Sequence, residues 1–168
     1  MAEPRFLCQV NVRAHGEAAA RVGHALGLVL PTQPNTVTTG EDCSALWLGP
    51  DEWLIVADDV AGAGAIESAV RAAFTPDWGS VVDVSGNRVA LDVAGPSARD
   101  VLATGCSLDL HPRRFGVGRC AQTLLARTGV IVWQSDDVPT FRLLVRTSYA
   151  RHLGEWLADA TAADGPLP

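Results

Sequence analysis

Lysine is absent from this chain; all 13 basic residues are arginine. That excludes a P-loop, whose lysine reaches the nucleotide phosphates, and any Schiff-base or lysine-nucleophile chemistry. Cysteine is scarce, and Cys8, Cys43, Cys106 and Cys120 form no C-x-x-C pair, so zinc-ribbon and thioredoxin signatures are missing. Such thiols read as free, buried groups of a reducing compartment. No G-x-S-x-G elbow occurs, and His15, His24, His111 and His152 are too dispersed for a metal site. No uninterrupted apolar run approaches spanning length, which predicts no membrane association. The first residues, Met1 to Arg5, lack a basic region followed by an apolar one, so no signal peptide is read and a cytoplasmic location is expected. The net charge of −6 argues against nucleic acid as a partner, because phosphate neutralisation needs a basic face.

What is present suits a packed domain. The 168 residues are 48% hydrophobic, enough for a real core. The chain is organised around Leu46-Trp47-Leu48-Gly49-Pro50-Asp51-Glu52-Trp53-Leu54-Ile55-Val56. Two apolar runs flank a Gly-Pro-Asp-Glu reversal, where Pro sets φ and Asp bonds back to its own backbone. The pattern predicts a hairpin with Trp47 and Trp53 on either side of the turn. Both tryptophans pack a core, or one of them faces a partner protein.

Along the chain, Phe6 to Val12 alternates as a half-buried strand, with Gln9, Asn11 and Arg13 directed outward. A helix with Ala18, Val22, Ala25 and Leu26 inward ends near Gly27, and Thr36 to Thr39 reads as a short strand. After the hairpin, Asp58 to Gly64 is a small-residue loop, and a helix carries Ile66, Val70, Ala73 and Phe74 on one face. Strands are expected over Ser80 to Val84 and Arg88 to Val93. Gly95-Pro96 then opens a helix with Ala98, Val101 and Leu102 inward. Leu108 to Gly118 is an irregular connection. A second hairpin is expected from Arg119 to Gln134 across Thr128-Gly129, then a strand from Thr140 to Arg146. A closing helix presents Tyr149, Leu153, Trp156, Leu157 and Ala160 on one stripe. The order suggests an α+β fold of two βαββα-like halves with mixed or antiparallel sheets and flanking helices. The halves would be an internal repeat, 6–75 and 80–160, within one domain, 1–162, before a frayed tail, 163–168.

Few residues suggest chemistry. Gly62-Ala63-Gly64 mimics a dinucleotide loop, but Glu67 stands where the third glycine belongs and Asp58 and Asp59 would repel a pyrophosphate. Gly116-Val117-Gly118 leads into a strand rather than a helix, which rejects it on the same ground. Asp109 and His111 are an acid-base pair or a turn whose side chains bond the backbone. Arg113 and Arg114 beside them bind an anion bidentately, or form a solvated or interfacial basic pair. Asp51-Glu52 reads as a polar hairpin tip. No assembled catalytic, cofactor or metal site is read from the residues.

Several stretches together resemble the γ subunit of heterotetrameric sarcosine oxidase: LWLGPDEWLIV (46–56), DVSGNRVALDVAGPSARDVLATGCSLDLHP (83–112), the run from Phe115 to Thr123, and FRLLVRTSYARHLGEWL (141–157). That family is similar to the folate-binding domain of the glycine-cleavage aminomethyltransferase, whose strand–Gly-Pro–helix element resembles residues 93–102. The aminomethyltransferase places its essential aspartate in a G-G-V-I-D-D-like strand. The nearest stretch here, Thr128 to Trp133, has Val132 and Trp133 at those positions, and the K-G-C-Y-x-G-Q-E-type motif is absent. The resemblance therefore implies a fold of folate-binding type whose folate chemistry is lost. It implies a non-catalytic subunit packed against α, β and δ subunits. That complex demethylates sarcosine to glycine, passes electrons to oxygen to give hydrogen peroxide, and hands the one-carbon unit to tetrahydrofolate. FAD, FMN, NAD, tetrahydrofolate and zinc would be held by the other subunits and none by this chain. Trp47, Trp53, Asp109, His111, Arg113 and Arg114 are the candidate interface residues. The competing expectation is a stand-alone folate-binding or aminomethyl-transfer protein.

Overall fold

A computed structural model of the chain describes residues 5–59 and 62–163. The first residues, 1–4, and most of the expected frayed tail, 164–168, lie outside the described residues, as do 60 and 61 in the small-residue loop. The chain divides into two compact units, one from Phe6 to Gly86 and the other from Asn87 onward together with Arg5.

In the first unit, β1 (Cys8–Arg13) leads to α1 (Gly16–Ala25), then β2 (Val37–Thr39), β3 (Ser44–Gly49), β4 (Glu52–Ala57), α2 (Ala63–Ala73) and β5 (Ser80–Asp83). The sheet order is β2-β3-β4-β1-β5, with every pairing antiparallel. Alternate residues of β1 (Cys8, Val10 and Val12) join Trp53 and Ile55 of β4, Val22 of α1 and Val70 of α2 in one apolar core. Gly27, at φ +66°, closes α1 in the left-handed conformation that a side chain disfavours. Two expectations need correction here. Gln9 does not face solvent: it is fully buried, and its N–H donates to Ser85 Oγ at 3.0 Å. The outward face of β1 is covered at Gln9 and opens through half-buried Asn11 to exposed Arg13, so alternation separates inside from outside only toward the end of the strand. Ala25 is exposed, and Gly23 takes the buried position on α1.

In the second unit, β6 (Arg88–Ala94) is followed by α3 (Ala98–Ala103), β7 (Cys120–Leu125), β8 (Thr128–Asp136) and β9 (Thr140–Arg146). A 3-10 turn (Thr147–Tyr149) and α4 (Ala150–Ala163) complete it. The order is β6-β9-β8-β7, again antiparallel throughout. Its core gathers Val89 and Leu91, Val101 and Leu102, Val130 and Val132, Phe141 and Leu143, and Leu153 and Leu157. The α+β class holds. Each unit runs strand, helix, three strands, helix, with β5 following in the first. The strand that joins each expected hairpin is the one read at Thr36 to Thr39 in the first unit and at Thr140 to Arg146 in the second.

The second hairpin turns two residues earlier than its sequence suggests. Leu125 pairs with Thr128, which puts Ala126 (φ +49°) and Arg127 (φ +63°) at the centre in place of Thr128-Gly129. Thr128 and Leu125 are buried, so a tip at Thr128 would force core residues into water. The Ala126 N–H donates to the Gly105 carbonyl at 3.0 Å and holds the turn in place. Two successive left-handed non-glycine residues are strained, each by about 1 kcal/mol. Arg127→Gly is therefore expected to raise the melting temperature by roughly 2 °C, the glycine's extra unfolded-state entropy offsetting part of the gain. A thermal melt with an unchanged or lower midpoint would show that the turn carries no such strain. Tyr149 also departs from expectation. It sits in the 3-10 turn, exposed, rather than on the buried stripe of α4.

Candidate functional site

The β3–β4 hairpin places Trp47 directly opposite Trp53. Trp53 is 3% exposed and its indole N–H donates to the Pro31 carbonyl at 2.8 Å, so the ring belongs to the core of the first unit. Trp47 is half-buried. The polar tip is tied to β1 and does not simply sit in solvent. Glu52 Oε1 accepts from Asn11 Nδ2 at 2.8 Å, and Glu52 Oε2 accepts from Arg13 Nη2 at 2.7 Å, which raises the pKa of that guanidinium. His15 Nε2 lies 3.4 Å from Asp51 Oδ2.

Asp109 and His111 do not meet as an acid and a base. Asp109 Oδ1 accepts from the His111 backbone N–H at 2.9 Å, and His111 Nδ1 accepts from the Arg113 N–H at 3.2 Å. Each side chain braces the backbone two residues on, the turn alternative of the two. Arg113 and Arg114 extend from the same turn and are exposed. The structure thus brings Asp109, His111, Arg113 and Arg114 together in the second unit and keeps Trp47 and Trp53 together in the first.

Two residues that sequence reasoning passed over are prominent. Arg99 of α3 donates from Nη1 to the carbonyls of Leu110 and Phe115, the latter at 2.9 Å, and from Nη2 to Gln134 Oε1 at 2.7 Å. Its guanidinium lies 5.0 Å from the Phe141 ring centroid, and burial lowers its pKa. An arginine in Ser97-Ala98-Arg99-Asp100 reads as a solvated helix start, so only the tertiary structure exposes its role. Trp78, between α2 and β5, is 91% exposed. It belongs to no periodic pattern, and the sole sequence signal is an aromatic residue inside a turn-rich stretch.

Val132, where the resemblance expects an acid, is buried in the core of the second unit. Trp133 beside it lies under the Arg142 guanidinium, 5.5 Å from the ring, and Arg142 pairs with both oxygens of Asp92 at 3.0 and 3.1 Å. A groove of about 570 Å³ runs beside α1, lined by Ala19, Ala20, Gly23, Leu28 and Trp53, with His24 and Thr32 as polar side chains. Another, of about 480 Å³, lies between β6 and α4 and includes Asp92 and Thr161. Among the described residues, no three His, Cys, Asp or Glu side chains gather in a way that could hold a metal ion. No helix among them is long and apolar enough to cross a membrane. None of the four cysteines is in a disulfide, and burial, with Asp83 and Cys43 nearby, pushes the Cys8 thiol up to about 11.

Comparison with known proteins gives a consistent picture. The sarcosine oxidase, gamma subunit family matches residues 12–163. The sarcosine oxidase subunit gamma of Arthrobacter sp. is 39% identical over 161 residues, covering 94% of this chain and 77% of that protein. The heterotetrameric sarcosine oxidase from Corynebacterium sp. U-96, solved with pyrrole 2-carboxylate, contains a chain that superposes with a TM-score of 0.89 at 34% identity, covering 98% of this chain and 84% of that one. The aminomethyltransferase T of the glycine cleavage system from Bartonella henselae matches with a TM-score of 0.67 at 17% identity, over 90% of this chain and 43% of that one, a likeness of fold alone.

Proposed function

This chain belongs to the sarcosine oxidase gamma subunit family, and we propose that it is the non-catalytic gamma subunit of a heterotetrameric sarcosine oxidase. The observation that carries the reading is the near end-to-end superposition on a chain of that oxidase, at an identity well above what fold alone requires. The side chains support it. Asp109 and His111 are engaged as turn braces, and Val132 and Trp133 are a core residue and an arginine-stacked ring. Neither residue can move a proton to or from a substrate nitrogen. The chain's task is then assembly, in the cytoplasm, with α, β and δ subunits that hold FAD, FMN, NAD, tetrahydrofolate and zinc. The complex oxidises sarcosine to glycine. The exposed Asp109–Arg114 turn and the half-buried Trp47 are surfaces offered to those subunits.

Co-expression of the four chains, with and without this one, tests the proposal. The full set is expected to purify as a yellow heterotetramer that oxidises sarcosine. Omission is expected to lower the yield of assembled complex. A complex of unchanged yield, mass and activity without this chain would overturn the reading. Saturable binding of tetrahydrofolate to the purified chain, measured by calorimetry, would favour a stand-alone folate protein instead.

A further inference from the structure

We propose that Trp78 and the outer edge of β5 form the surface by which this chain seats on another subunit of the oxidase, the indole entering an apolar pocket there. The proposal rests on the gamma-subunit reading and adds to it the contact surface.

Trp78 is 91% exposed, the largest apolar side chain left almost wholly in water among the described residues. Tryptophan is the residue type most enriched at interface hot spots. The segment presenting it is held in place. Arg21 of α1 donates from Nε to the Ala73 carbonyl at 2.9 Å, and from Nη2 to the Phe74 carbonyl at 3.3 Å and to Asp77 Oδ2 at 2.6 Å. Gly79 lies against the Phe74 ring so closely that any side chain there would collide with it. An anchor presented on a rigid turn loses little conformational freedom on binding.

The neighbouring strand extends the patch. Val81 points into the core of the first unit, so alternation along β5 puts Ser80 and Val82 on the other side, where Val82 is half exposed. β5 ends the sheet, and among the described residues β1 is its ladder partner and its outer edge has none. An unpaired edge beside an aromatic anchor fits strand addition by a partner.

Area and charge argue for another subunit over a second copy. An indole, a valine and a four-residue strand edge fall well short of the ~1,200 Å² that a stable two-body interface needs. The patch suits one contact within a larger assembly. Asp83 ends β5, where hydrogen bonds from Ser85 hold its carboxyl below the usual carboxylate range, while Asp77 beside Trp78 is already paired with Arg21. A second copy, also of net charge −6, brings the same acids. A partner with a basic rim around its pocket complements them.

Competition in the assembled complex tests this. Tagged wild-type and Trp78→Ala chains are co-expressed with limiting amounts of the other three subunits, and their ratio in the purified complex is read by mass spectrometry. The variant is expected to be under-represented by about thirtyfold, the size of a hot-spot loss. Val82→Lys serves as a second variant on the same face, with a weaker effect. Thermal melts of both chains should match wild type, since neither side chain is in the core. Equal incorporation of Trp78→Ala overturns the proposal while leaving the gamma-subunit reading intact. Failure of the wild-type chain to enter any complex overturns both. A wild-type chain that sediments alone as a dimer, and becomes a monomer on Trp78→Ala, assigns the patch to a second copy and also overturns the proposal.

Discussion

Trp53→Ala is expected to destabilise the chain by about 4 kcal/mol, the scale of a large aromatic truncation in a packed core. The ring is nearly fully buried and packs between β1 and the chain leaving α1. Two losses combine. The vacated volume adjoins the groove beside α1, which lowers the chance that the surroundings collapse onto it. The Pro31 carbonyl, itself buried, loses the indole N–H that satisfies it at 2.8 Å. Trp53→Phe separates the two, because it keeps most of the apolar ring and removes the donor. Its expected cost is about 1–2 kcal/mol. Trp47→Ala, at the half-buried position opposite, is expected to cost less than half as much as Trp53→Ala. Chemical denaturation of the three variants checks the order. A Trp53→Ala loss below about 1.5 kcal/mol would mean that the carbonyl finds water and that the ring is not what holds the unit together.

How much of this the sequence discloses depends on whether a feature is local. The hairpin is legible because its turn residues and its apolar runs agree, but Trp47 meets Trp53 only because the register shifts between Trp47 and Gly49, which the spacing does not show. The inward face of α3 is legible too, since Ala98, Val101 and Leu102 follow helical spacing and are buried. Gln9 is not. A polar residue at an outward position of an alternating strand reads as solvated, and nothing local signals that it is fully buried with its backbone N–H bonded to a Ser85 hydroxyl distant in sequence. The Ala126-Arg127 turn shows local and tertiary preference in conflict. Thr128-Gly129 is the better turn chemistry, yet the burial of Thr128 and the bond from Ala126 to Gly105 prevail. For the candidate site, the family likeness is carried by contiguous stretches and is readable. The exposure of Trp78 and the role of Arg99 are not, because each depends on how separate segments pack.

Arg99 is expected to be the polar residue whose loss is most costly. Leu108 to Gly118 has no helix or strand of its own, and while its turns satisfy the His111 and Gly116 carbonyls, those of Leu110 and Phe115 depend on partners from elsewhere. Arg99 supplies them, joining Leu110, Phe115 and Gln134 through one planar guanidinium stacked on Phe141. Arg99→Met keeps much of the stem's contact with Phe141 and removes every donor, so it isolates the polar contribution. Three acceptors then need new partners, and the expected loss is about 3 kcal/mol after partial rescue by water. Arg99→Lys keeps the charge, but a single ammonium cannot reproduce a fork that reaches three acceptors, so it should recover only a minor part. Combining Arg99→Met with Gln134→Leu should cost about 1 kcal/mol less than the sum of the single changes, since they share one bond. The sharper readout is local. Amides between residues 110 and 118 should lose hydrogen-exchange protection in Arg99→Met at conditions where β8 and β9 keep theirs. A variant within about 0.5 kcal/mol of wild type, with that protection unchanged, would show that the loop holds its own shape. If the protection is lost, the turn bearing Asp109, His111, Arg113 and Arg114 is set in position by a residue on α3. Its presentation to a neighbouring subunit is then decided inside this chain before any partner arrives.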